Sequence, residues 1–90
     1  MAGIGIRCFG KVQGVFFRAS TKSVADDLGL RGWVRNEADG SVLIHAEGDS
    51  KKLSSLLSWA NEGSEYSQVT EVRHWEEEEE GLESFEIRRD

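Results

Sequence analysis

The sequence predicts an α+β sandwich: two helices on one face of an antiparallel sheet, in the order β-α-β-β-α-β with a short C-terminal strand added. Three observations predict it. Leu53, Leu56, Leu57 and Ala60 recur at the i, i+3, i+4, i+7 spacing of a helix face. Ile4, Ile6 and Cys8 alternate with Gly5 and Arg7, as in a half-buried strand. Asp39-Gly40, set between two β-rich runs, is a tight-turn signal. Arranged in this order, the elements match the ferredoxin-like, or split βαβ, pattern, and right-handed crossovers leave few alternatives.

Each element can be justified in turn. The first strand ends at Gly10. The stretch Gly10 to Phe17 holds two glycines and no helical period, so it reads as a loop. A helix follows over about Ala19 to Leu28, with Val24, Ala25 and Leu28 on one face, Thr21 a turn earlier, and Gly29 as its stop. Leu30 to Asn36 is rich in β-formers. The return strand runs from Ser41 to Glu47 and puts Val42, Ile44 and Ala46 on one face, which points His45 the other way. Asp49 or Ser50 can cap the second helix and Gly63 can end it. Further strands fall around Val69 to Trp75 and at Phe85 and Ile87. The five like charges of Glu76 to Glu80 read as a solvated turn before the last strand.

Length and composition bound the function. Ninety residues make one domain, 1–90, with a single thin core and no room to enclose a large cofactor. The 38% apolar content suits a folded chain, and no apolar run approaches a membrane span. No signal peptide is visible at the start, and the single cysteine cannot form an internal disulfide. Both point to a reducing compartment, most simply the cytoplasm. A net charge of −6 argues against a general nucleic-acid binder. The charge is uneven: all 17 acids lie from Asp26 onward, while the first 25 residues carry Arg7, Lys11, Arg18 and Lys22 and no acid. Such a segment suits a small anionic ligand, or reflects chance clustering.

Metal chemistry finds no support in histidine spacing or cysteine count. His45 and His74 read as surface or satisfied structural residues, and Cys8 as core. The loop Gly10-Lys11-Val12-Gln13-Gly14-Val15-Phe16-Phe17-Arg18 is different. Its glycines allow successive N–H groups to converge on an anion, and the helix behind it adds positive partial charge. Arg18 offers a planar fork for a phosphate. The spacing is neither that of a Walker A loop nor that of a dinucleotide fingerprint. A structural turn with Phe16 or Phe17 plugging the core remains the other reading of the same residues.

The loop string resembles the acylphosphatase signature G-x-V-Q-G-V-x-F-R. Gly32-Trp33-Val34-Arg35-Asn36, followed by Asp39-Gly40-Ser41-Val42, resembles that family's second signature. Phe85-Glu86-Ile87-Arg88 resembles its F-x-I-R ending. The resemblance covers essentially the whole chain. It implies hydrolysis of acyl phosphates to a carboxylate and inorganic phosphate, with no metal or organic cofactor. It maps the phosphate-binding arginine to Arg18 and the water-orienting asparagine to Asn36. The backbone amides of Gln13, Gly14, Val15 and Phe16 would complete the phosphate cradle. Taken without the resemblance, Asn36 reads as a turn residue before Asp39-Gly40. The family often carries Gly-Pro where this chain has Gly48-Asp49 and Gly63-Ser64, and there is no proline here at all.

Two other functions stay in view. A non-catalytic anion-binding module would use the same loop, and acylphosphatase-like domains also occur within larger proteins. The start at Met1 and the stop after the last strand favour a free-standing enzyme, although an excised domain would look the same; a monomer is the simplest expectation. An RNA binder stacking bases on Phe9, Phe16 or Phe17 is disfavoured by the acidity and by the lack of an aromatic strand motif.

Overall fold

The computed structural model describes residues 2–89. Its elements are β1 (Ala2–Lys11), α1 (Phe17–Asp27), β2 (Arg31–Asn36), β3 (Val42–Gly48), α2 (Ser50–Glu62), β4 (Gln68–Glu77) and β5 (Phe85–Ile87). The sheet order is β4-β1-β3-β2-β5. β1 pairs antiparallel with β3 and β4, and β2 pairs antiparallel with β3. β1 and β2 are therefore parallel with β3 between them, the split crossover that the element order predicts.

The two helices share the face of the sheet that carries Ile6, Cys8, Val34, Val42, Ile44 and Ala46, all buried. Helix α1 buries Phe17, Thr21 and Ala25, and α2 buries Leu53, Leu56 and Ala60. Each large apolar side chain sealed here stabilises the fold by roughly 1.5–3 kcal/mol. Cys8 belongs to this core, and burial pushes its thiol up to about 12, so it stays protonated. Helix α1 starts at Phe17, two residues before the expected Ala19, because Phe17 is buried and its ring packs 5.3 Å from that of Trp59. Of the two candidate caps for α2, Asp49 serves: its carboxylate accepts from the N–H of Lys51 at 2.8 Å and of Lys52 at 3.4 Å.

One pairing departs from an all-antiparallel sheet: β5 runs parallel to β2. Chain length gives the reason. β4 ends on one edge, and β5 lies four inter-strand gaps away on the other, or about 19 Å. Residues 78–84 span at most ~25 Å when extended. That is enough to cross the sheet but not to return to its far end, so β5 must set out in the direction of β2.

The reading of Glu76 to Glu80 as a solvated turn holds for the exposure of Glu78 to Glu80 but not for the whole run. Glu76 and Glu77 belong to β4. Beyond them the backbone N–H groups of Glu80, Gly81 and Leu82 all donate to the Glu47 carboxylate, those of Gly81 and Leu82 at 3.2 Å. His45 does point away from the core, yet it is buried beneath this segment. Its Nδ1 lies 2.6 Å from Glu77 and its Nε2 2.6 Å from Glu47, and its ring stacks on Trp33. Gly32 makes the site possible: its φ is +151°, and a Cβ there would overlap the His45 carbonyl oxygen. Burial alone would push His45 down, but its bonds to Glu47 and Glu77 prevail and raise it. Glu47 is desolvated too, but the His45 and backbone hydrogen bonds hold its carboxyl below the usual range.

Candidate active site

Strands β1, β2 and β5 run in one direction, so their C-terminal ends meet at one end of the sheet. β1 delivers the loop 12–16 there, β2 delivers Asn36 as its last residue, and β5 delivers Arg88 and Arg89. Between them lies a cavity of about 290 Å³, with Gly14, Phe16, Arg18, Asn36, Ile87 and Arg89 on its walls. Three segments far apart in sequence thus converge on one space.

The loop is shaped by two left-handed residues. Gly14 has φ 74°, and the space where its Cβ would stand is empty, so the backbone is exposed to whatever enters. Phe16 has φ 62° although it carries a side chain, a conformation costly for a bulky residue. As the N-cap of α1 it gives no side-chain hydrogen bond, and no acid stands in the first turn. The helix therefore presents N–H groups that no capping side chain occupies, together with the positive end of its dipole.

Arg18 lies in that first turn and lines the cavity; its Nη1 donates to the Arg88 carbonyl at 3.5 Å. Asn36 faces it from β2, and its Oδ1 is buried without a hydrogen-bond partner. The two residues that the signatures single out, 18 positions apart in sequence, share one cavity. Gln13 is differently employed. Its Nε2 donates to the carbonyls of Glu37 (2.8 Å) and Ser41 (2.9 Å), tying the loop to the β2–β3 turn. The Val15 side chain packs against the core. Neither side chain lines the cavity.

The cationic N-terminal segment divides in the same way. Arg7 pairs with Glu37 and Asp39 of the β2–β3 turn, and Lys22 pairs with Asp26. Of the four cations only Arg18 lines the cavity. Arg89, which composition and spacing do not single out, lines it as well. Its place follows from alternation beyond β5: Arg88 lies over the Trp33 ring at 4.9 Å, and the next residue turns toward the cavity. Phe17 plugs the core, as a structural turn would also have it, while Phe16 is 76% exposed at the cavity mouth. Among the described residues no group of three or more His, Cys, Asp or Glu is placed to hold a metal ion. No helix among them is long and apolar enough to cross a membrane.

A family model described as Acylphosphatase matches residues 4–87. The chain belongs to the acylphosphatase family. It is 45% identical over 82 residues to an acylphosphatase of Thermococcus kodakarensis, covering 91% of this chain and 90% of that one. With an acylphosphatase of Thermotoga petrophila it shares 46% identity over 88 residues, or 98% of each chain. Among solved structures, the acylphosphatase from Bacillus subtilis superposes with a TM-score of 0.95 at 39% identity. That match covers 99% of this chain and all of the other. The protein is an enzyme of the acylphosphatase type.

Proposed function

We propose that this enzyme hydrolyses the carboxyl–phosphate bond of an acyl phosphate in the cavity at the C-terminal ends of β1, β2 and β5, with Arg18 and Asn36 as its catalytic side chains. The observation that carries the reading is the orphaned Asn36 Oδ1, which shares a cavity with Arg18 and an uncapped helix N-terminus. A buried acceptor without a partner costs about 1–3 kcal/mol unless something donates to it. A water molecule donating one O–H to Oδ1 would satisfy it and have its oxygen free to attack.

The chemistry follows from positioning. The phosphoryl group lies against the backbone N–H groups of Gln13, Gly14, Val15 and Phe16, and Arg18 binds its oxygens from the side. The acyl carboxylate is a good leaving group, so transfer needs alignment and charge stabilisation rather than covalent help. The water oxygen bonds to phosphorus as the bond from phosphorus to the acyl oxygen breaks. The electron pair leaves with the carboxylate. An amide is too weak a base to take the water proton, which passes to a phosphoryl oxygen; the products are the carboxylate and inorganic phosphate. No cofactor enters this scheme.

The lone cysteine suits a reducing, cytoplasmic setting. The reading takes residues 1–90 as one domain acting as a monomer on a small-molecule substrate, with no nucleic acid or membrane involved.

Hydrolysis of benzoyl phosphate, measured in EDTA for the parent, Arg18→Ala and Asn36→Ala, tests the scheme. Turnover in the parent and losses of at least ~10²-fold in both variants are expected, the scale of one preorganised transition-state donor. An inactive but folded parent would overturn the reading. Full activity in Asn36→Ala would leave the phosphate cradle standing and remove Asn36 from the mechanism.

A further inference from the structure

The cavity is larger than its phosphate half requires. At about 290 Å³ it holds the volume of roughly ten waters. A phosphoryl group seated against the loop amides and Arg18 fills only the inner part. The remainder must take the acyl half of the substrate, and its walls are uneven. Phe16 and Ile87 offer apolar surface at the mouth, and Arg89 adds a second guanidinium. Among the described residues no carboxylate lines the space.

The charge inventory is therefore one cation more than a phosphoryl group uses. Arg18 is anchored on the Arg88 carbonyl beside the helix N-terminus. Arg88 is occupied by the Trp33 ring. Arg7, Lys22, Arg31, Arg35 and Arg73 all have carboxylate partners. Arg89 has no ion-pair or hydrogen-bond partner among the described residues, and it faces the cavity. A guanidinium with no partner among the described residues, on a wall that no described carboxylate shares, favours an anion at that spot.

Building on the function proposed above, we infer that Arg89 is a specificity residue. It receives a second anionic group on the acyl half of the substrate, while the Phe16 and Ile87 side chains flank the body between the two charges. The favoured substrate class is an acyl phosphate with an apolar body and a distal carboxylate or phosphate.

A matched pair of substrates isolates the distal charge: 4-carboxybenzoyl phosphate and 4-methylbenzoyl phosphate. They share the aryl body, and the rigid ring keeps the second carboxylate from attacking the phosphorylated one. The kcat/KM ratio of the pair is measured for the parent, Arg89→Gln and Arg89→Lys. The parent is expected to favour the carboxy substrate. Arg89→Gln should lower that ratio about fivefold, the scale of a solvent-edged ion pair. Arg89→Lys should keep most of it. The parent's ratio should also fall as salt rises, which a purely structural role would not produce. An unchanged ratio in Arg89→Gln would overturn the inference. So would an equal loss on both substrates, which would put Arg89 on the phosphoryl group instead. A parent that turns over neither substrate would overturn the underlying reading of the site first, and this inference with it.

Discussion

The two helices begin in opposite ways. Helix α2 is closed by Asp49, whose carboxylate takes up two of its free N–H groups. Helix α1 begins at a phenylalanine in a left-handed conformation that caps nothing. A side-chain cap is worth about 1 kcal/mol, so α1 forgoes that stabilisation and adds backbone strain at Phe16. The same contrast holds for buried polar atoms. The Glu47 carboxylate receives three backbone N–H groups and the His45 ring, whereas Asn36 Oδ1 receives nothing. The unpartnered Asn36 Oδ1 and the uncapped start of α1 both lie at the C-terminal ends of β1, β2 and β5. The difference separates a part of the molecule that holds itself together from one that leaves its valences for a ligand.

The largest expected effect breaks the closed side. Glu47→Ala would leave three N–H donors and His45 without their partner under the crossing segment. Removing one member of such a buried set costs about 3 kcal/mol. Urea unfolding should report that loss. Because residues 78–84 lead into β5, which anchors Arg18 through Arg88, turnover should fall only at temperatures or urea concentrations where β5 loosens. A stability equal to that of the parent would show that Glu47 is not the tether of the crossing.

The next effect closes the open side. Phe16→Asp places a fixed negative charge at the mouth of the anion cradle; aspartate tolerates the left-handed backbone better than phenylalanine does. Binding of a phosphorylated substrate should weaken at least about tenfold, the equivalent of ~1.4 kcal/mol, while the melting temperature holds or rises. Parallel losses of stability and activity would mean that the Phe16 ring, despite its exposure, supports the fold.

These contrasts also mark how far the residues alone were readable. Helix α2 and the β2–β3 hairpin are legible because their signals are local: a four-residue apolar face, and Asp39-Gly40. Arg18 and Asn36 are legible through the signatures that carry them, and the fold brings both to one cavity. The parallel β5 is not legible, since its direction depends on how far residues 78–84 can reach across a finished sheet. His45 shows the same limit. Alternation gives its side correctly, but its burial comes from a segment more than thirty residues away. Arg89 escapes notice because only the pairing of β5 with β2 brings it to the site.

Acid and base should act on the closed side in opposite senses. His45 is raised in the folded protein, so its contribution is complete below the unfolded value of about 6.5 and is lost as pH rises through the folded value. Glu47 is lowered, so its contribution is complete above about 4.5 and is lost as pH falls through the folded value. Glu77, Glu80 and, beside Glu47, Arg31 and Glu79 complete the charged surroundings. Melting temperature should therefore peak between about pH 5 and 6.5 and decline on either side. In His45→Gln the alkaline decline should flatten. A decline of the same slope in that variant would assign it to another group.

The smallest effect is the most direct test of the helix comparison. Asp49→Ala removes the α2 cap and should cost about 1 kcal/mol, visible as a few degrees in melting temperature for a chain of this size. The cap lies at the start of α2, on the connection from β3, whereas the cavity lies where β1, β2 and β5 end, so benzoyl phosphate turnover at 25 °C should not change. Stability would then fall at one helix N-terminus with no loss of activity. Substitution at the other, as in Phe16→Asp, would cut activity with no loss of stability. If Asp49→Ala slowed turnover while the protein stayed fully folded, the two termini would be coupled through the core, and the division between a holding half and a binding half would fail.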